Sequence, residues 1–223
     1  MTTGGGAYQT AEWLPKVPAL LQLWYLGQNG GTAAGEILFG KVNPSGKLPA
    51  TFDARWEDNP SSPYYKADWS KPHPYPVEYT EGLLMGYRGY DAAGRAPLFP
   101  FGHGLSYTTF KYSDLALTKT KEGDFQISVK VSNTGHRPGA EVVQLYVGQQ
   151  NPPMQRPLRE LKGFERVELK PDEEASVTIP VRLRDLRVFD PASQSWILPE
   201  GNYEFAVGSS SRALPLQTSV KVP

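Results

Sequence analysis

At 223 residues the chain has room for one large domain, or for one compact domain with a substantial piece of another. Its 23 basic and 23 acidic side chains cancel, which argues against nucleic-acid or anionic-membrane partners and favours neutral polar ligands. The absence of cysteine excludes disulfides and thiolate chemistry. No run reaches the roughly 18 apolar residues of a membrane span, and Met1 to Thr10 lacks the basic-then-apolar order of a secretory signal.

The first ten residues, with G-G-G at positions 4 to 6, are too poor in side chains to form an element, and the fold reads as one that begins abruptly, as if cut. Pro18 to Trp24 (P-A-L-L-Q-L-W) is an apolar run of strand length, of the kind buried on both faces in parallel sheets, although a buried helical turn has the same composition. In the next stretch Asn29 or Thr32 can cap a helix whose apolar face carries Ala33, Ala34, Ile37 and Leu38, with Gly40 closing it. Strand then helix is an α/β signature, but a single such unit cannot make a domain. Pro44, Ser45 and Gly46 occupy turn positions ahead of an extended Leu48 to Phe52.

Trp56 to Tyr79 holds five prolines and six aromatics, which excludes a helix and argues for an ordered loop laid over other surfaces. Glu81 to Asp91 follows, with a turn expected over Asp91 to Gly94. The stretch Pro97 to Phe110 (P-L-F-P-F-G-H-G-L-S-Y-T-T-F) is then the seam between two kinds of chain. Its prolines fix φ, its glycines open positive φ, and its rings need burial, so a rigid, non-repeating path is expected.

Beyond the seam the period becomes two. Phe125, Ile127, Val129 and Val131 alternate with polar residues, as do Val177, Ile179 and Val181, and Tyr203, Phe205 and Val207. Val142 to Val147 is apolar on both parities except at Gln144, which suits a central strand. Turn-rich strings at Asn133 to Gly139, Lys170 to Glu174, Asp190 to Gln194 and Pro199 to Asn202 separate these runs, and about seven strands result, at the spacing of an antiparallel sandwich. The expected class is therefore mainly β: a fibronectin type III-like (immunoglobulin-like) antiparallel β-sandwich preceded by a partial α/β segment and a long ordered loop. The expected division is 1–55, 56–110 and 111–223.

Three strings, W-Y-L-G-Q-N-G-G-T-A-A-G-E-I-L-F-G-K-V-N-P-S-G-K-L-P-A-T-F (Trp24 to Phe52), E-G-L-L-M-G-Y-R-G-Y-D (Glu81 to Asp91) and L-F-P-F-G-H-G-L-S-Y-T-T-F (Leu98 to Phe110), resemble the C-terminal part of glycoside hydrolase family 3, the β-glucosidase and β-xylosidase group. Val131 to Val147, Pro157 to Leu169 and Gly201 to Ser211 are similar to the fibronectin type III-like domain of that family. Six strings in the right order span nearly the whole chain. The resemblance implies retaining chemistry with an aspartate nucleophile on an N-terminal barrel and a glutamate acid in the following α/β sandwich, their carboxyl groups roughly 5 to 5.5 Å apart. Both positions fall upstream of the segment that resembles Met1 to Phe52, so it assigns no catalytic residue here. It also implies relatives that are often periplasmic or secreted, while this chain carries no address of its own.

Other candidates rest on the residues themselves. Asp68-Trp69 in K-A-D-W-S resembles the Asp-Trp pair around that family's nucleophile but, with no barrel strand before it, reads as an exposed linker carboxylate, and Glu78 and Glu81 have no visible source of pKa tuning. His103 and Ser106 lack the G-x-S-x-G elbow and read as structural residues that hydrogen-bond the seam. Histidines 73, 103 and 136 show no ligand spacing, so neither a metal nor another cofactor is expected. Trp56, Trp69 and Tyr75 either pack as glue or stack on the C–H faces of a sugar ring, and Arg88 is a further candidate carbohydrate contact that otherwise pairs with Asp91 or buttresses the seam.

The reading that follows is a structural and substrate-positioning part of a β-glucosidase-like hydrolase, not catalytic alone. Its partners would be a β-glucoside or oligosaccharide and the absent catalytic domains, or another copy of itself. The alternatives are a free-standing carbohydrate-binding or protein-interaction module and a hydrolase with its own site at the seam.

Overall fold

The computed structural model describes residues 1–65, 70 and 78–222. Two compact units emerge, one formed by Met1–Val42 with Leu48–Phe101 and the other by Asn43–Lys47 with Gly102–Pro223.

The second unit is built from nine antiparallel strands: β1 (Phe110–Lys119), β2 (Phe125–Asn133), β3 (Gly139–Gln149), β4 (Glu160–Leu169), β5 (Glu174–Val181), β6 (Val188–Asp190), β7 (Ser195–Ile197), β8 (Gly201–Gly208) and β9 (Leu216–Val222). One sheet has the order β1-β2-β5 and a second β4-β3-β8-β9, while β6 and β7 form a short hairpin. The alternation read along β2 sets its register. Phe125, Ile127 and Val129 lie opposite Val181, Ile179 and Val177, so all six side chains enter one core. That core is completed from the other sheet by Val143, Leu145, Val147, Tyr203, Phe205 and Val207. Each such aliphatic side chain contributes about 1.5 to 3 kcal/mol by leaving water.

Strand β3 is central and buried on both faces, as the two-parity apolar run required. Gln144, its polar exception, turns away from the hydrophobic core. Its Nε2 donates to the carbonyls of Gly102 (3.1 Å) and Ser209 (2.7 Å), and its Oε1 accepts the Tyr146 hydroxyl (2.7 Å). Gly102 has φ +81°, and a Cβ there would meet Gln144 Oε1 at 2.1 Å, so the seam glycine is required both by its backbone and by this approach. The ninth strand, β9, lies beyond the strands read from the sequence. It pairs along the full length of β8 and buries Val222.

Among its described residues the first unit holds two α-helices, α1 (Gly30–Leu38) and α2 (Tyr87–Ala92). Asn29 stands at the N-cap of α1 without a side-chain capping bond, and Gly40, at φ +70°, takes the left-handed position past its end. The Pro18 to Trp24 run is not a regular strand. Gln22 makes one parallel bridge with Thr2, and Trp24 at φ +53° turns the chain out of extended geometry. Leu48 to Phe52 likewise pairs only at Phe52, which bridges Phe99 and is buried among Tyr8, Trp24 and Phe99 in edge-to-face contacts. Helix α2 takes up the second half of the Glu81 to Asp91 stretch, and Asp91, the expected start of a turn, lies inside its last turn, with the turn confined to Ala93 and Gly94. Gly89 lets the helix approach Pro60, whose Cβ would stand 2.4 Å from a Cβ at that position.

Candidate functional site

The aromatic candidates belong to the first unit. Trp56 opens a 3-10 turn (Trp56–Asp58), is 41% exposed and meets Tyr65 edge-to-face at 5.7 Å. The turn is clamped by Arg55, whose Nε and Nη2 donate to the two oxygens of Asp58 at 3.0 and 2.7 Å, and this fork holds the Asp58 carboxyl below the usual carboxylate range. Trp69 and Tyr75 lie outside the described residues, as do Asp68 and His73.

Residues flanking Trp56 line a surface cleft of about 600 Å³ with Gln9, Glu12, Trp13, Arg55 and Glu57 on its walls. A half-buried indole beside two exposed carboxylates and an amide suits a sugar, whose hydroxyls donate to carboxylates while its C–H face lies on a flat ring. Sequence reading singled out Trp56 but missed Glu12 and Trp13, because the cleft closes between positions more than forty residues apart.

Arg88 sits on α2 with its guanidinium 5.7 Å from the Tyr87 ring, and Tyr87 in turn stacks on Phe101 at 5.0 Å. The same helix carries Tyr90, whose buried hydroxyl donates to Asp53 Oδ1 at 2.7 Å; Asn59 Nδ2 holds the other carboxylate oxygen at 2.9 Å. Burial, then the Asp53 hydrogen bond, pushes the Tyr90 phenol above its ordinary value. Of the two proposed linker carboxylates, Glu78 is exposed and Glu81 accepts a hydrogen bond from Ser61 Oγ at 2.8 Å. Among the described residues no three histidine, aspartate or glutamate side chains gather into a metal site.

His103 and Ser106 belong to the second unit. Ser106 Oγ donates to Asn43 Oδ1 at 3.0 Å and accepts from the Thr108 amide at 3.3 Å. His103 is half-buried, and burial followed by the nearby Lys47 ammonium lowers its pKa. Lys47 itself is buried against Glu141 at 2.9 Å, and Glu141 also accepts the Tyr112 hydroxyl at 3.0 Å.

Comparison with known proteins agrees with this layout. The glycosyl hydrolase family 3 C-terminal domain matches residues 1–107, and the fibronectin type III-like domain matches residues 141–211. The thermostable β-glucosidase B of Acetivibrio thermocellus is 43% identical over 94% of this chain, which spans 28% of that enzyme, and a β-glucosidase of Bacteroides ovatus is 40% identical over 89% of the chain and 27% of its own length. Among solved structures, β-glucosidase 3B of Thermotoga neapolitana in complex with α-D-glucose superposes with a TM-score of 0.89 at 36% identity, covering 97% of this chain and 30% of that one. The Bifidobacterium adolescentis family 3 β-glucosidase superposes at 0.92 and 35%, covering 99% and 32%. The chain thus spans under a third of the relatives it matches. With both domains in family order and similarity running through nearly every residue, the chain belongs to glycoside hydrolase family 3, whose C-terminal part it represents.

Proposed function

We propose that the chain serves a β-glucosidase as the structural and substrate-positioning part of its C-terminal region, acting on β-linked glucosides only together with catalytic domains that it does not itself supply. The observation that carries this reading is the apolar surface of the first unit. Phe39 is 91% exposed, Tyr25 84% and Leu38 56%, at and beside a helix that matches the family C-terminal domain. Side chains of that size left in water lose the burial that ordinarily stabilises a fold, so they call for a covering partner. The relatives' much greater length supplies one of the right kind, the remainder of a family 3 polypeptide. Within such an assembly the cleft of Trp13, Arg55 and Glu57, beside Trp56, contacts the sugar, Arg88 buttresses its helix, and His103 and Ser106 hold the loop of the second unit.

Complementation tests this. The Acetivibrio thermocellus enzyme, truncated before the matched segment, is co-expressed with the present chain and assayed on a chromogenic β-glucoside. Activity from the pair and from neither part alone is the expected result. Failure of the two to co-purify would refute the assembly. Turnover by the present chain alone would instead establish a site of its own.

The exposed Trp56 and Tyr65 pair favours one other reading, a free-standing carbohydrate-binding module. It predicts that the isolated chain is retained on a glucan column and loses retention with Trp56→Ala.

A further inference from the structure

We propose that a cleft in the second unit, between segments 106–109 and 134–137, binds a uronic acid residue, with the sugar ring against Tyr107 and its carboxylate on Arg137. The cleft encloses about 490 Å³, room for one or two pyranose rings. Tyr107 is 44% exposed, and the Arg137 guanidinium stands 6.0 Å from its ring centroid. His136 and Arg137 are both exposed, and among the described residues neither meets a carboxylate within ion-pair distance; no acidic residue lines the cleft. The hydroxyls of Thr109 and Thr134, 2.9 Å apart, add neutral hydrogen-bonding groups at its mouth.

The walls are held by two asparagines. Asn133, buried, accepts from Thr108 Oγ1 (2.6 Å) and the Gly135 amide (3.1 Å), and donates to the carbonyls of Arg137 (2.8 Å) and Leu169 (3.0 Å). Asn43 accepts from Ser106 Oγ and the Tyr107 amide, and donates to the Pro138 carbonyl at 3.0 Å. Both segments are therefore fixed before any ligand arrives, which lowers the entropic cost of binding.

An aromatic ring next to a planar cation that has no carboxylate partner among the described residues asks for a ligand with an apolar face and an oxyanion a few ångströms apart. A pyranose carrying a carboxylate has both: the guanidinium forks onto the two oxygens, and the ring C–H bonds lie on the phenol. Inorganic phosphate would use only the charge, and a neutral sugar only the ring. This site shares no lining residue with the Trp13 cleft of the first unit and does not depend on the glycosidase reading.

The test is a titration of the whole chain with glucuronic acid and with a galacturonic acid trimer, followed by calorimetry and amide chemical shifts. Cellobiose and inorganic phosphate serve as comparators. Saturable binding is expected, with shifts confined to the two segments and weakening as salt rises to about 0.5 M. Arg137→Ala should weaken it about tenfold or more and Arg137→Lys, which keeps the charge but loses the fork, by less; Tyr107→Ala should weaken it several-fold. These side chains are exposed and the two asparagines remain, so the variants should keep the parent thermal midpoint. Phosphate binding as tightly as the uronates, with Tyr107→Ala silent, would reduce the cleft to an anion site and overturn the proposal. Cellobiose binding equally well would overturn the role of charge, and the absence of any saturable shift would overturn the whole.

Discussion

Replacing Gly102 with alanine should destabilise the second unit by about 2 to 5 kcal/mol, and the value can be built from two parts. A non-glycine residue at φ +81° costs about 1 to 2 kcal/mol in backbone strain. The new Cβ would also stand 2.1 Å from Gln144 Oε1 and 2.8 Å from its Cδ and Nε2, and Gln144, 3% exposed, has no route to solvent. Displacing it breaks at least one of its bonds to Gly102, Ser209 and Tyr146, and each buried polar group left without a partner costs about 1 to 3 kcal/mol. Urea unfolding followed by far-UV circular dichroism, with amide exchange at Val143 and Leu145 as a local probe, should show the midpoint falling by roughly 1 to 2 M. Gln144→Ala alone is also destabilising, because it removes the acceptor of the Tyr146 hydroxyl and the donor to two carbonyls. In Gly102→Ala/Gln144→Ala the clash is gone, so the double variant should be more stable than the sum of the singles by about 1 kcal/mol or more. Strict additivity, or a single Gly102→Ala variant within about 0.5 kcal/mol of the parent, would refute this account of the loop.

Two further outcomes follow from the buried charges behind that loop. Lys47→Met leaves the Glu141 carboxylate buried without its cation and should cost about 3 to 5 kcal/mol, much of it recovered when Glu141→Gln is added; no recovery in a urea titration would mean that packing, and not charge, holds Lys47 in place. His103 has a folded-state pKa below its ordinary value of 6.5, through burial first and Lys47 second, so the unfolded chain takes up the proton more readily. Its contribution is complete above pH 6.5 and is lost as pH falls below it, so His103→Gln should flatten the stability slope below pH 6.5, and an unchanged slope would remove His103 as its source.

The strands of the second unit were readable because a half-buried strand repeats every second residue. Phe125 to Val131 and Val177 to Val181 state which face is inside before any partner is known, and the apolar run of β3 states that it is central. Gly40 was equally legible as the end of α1, since a left-handed residue after a helix is a local requirement. Family membership was legible as well, because six strings in fixed order carry it without reference to geometry.

Long-range closure was not legible. Pro18 to Trp24 has the composition of a buried strand, but a strand exists only where neighbours satisfy its backbone groups, and here Thr2 and Gly4 supply a few isolated bonds and not a ladder. Strand β9 does alternate, with Leu216, Thr218, Val220 and Val222 on one parity, and what only folding shows is its pairing with β8. Gln144 stood out in the sequence as an anomaly, and only folding supplied the Gly102 and Ser209 carbonyls that explain it. The same holds for both clefts. Glu12 and Trp13 share a cleft with Arg55 and Glu57, and Asn43 reaches Pro138, placements that composition and periodicity do not encode, because those measures see neighbours along the chain whereas a binding surface is made of neighbours in space.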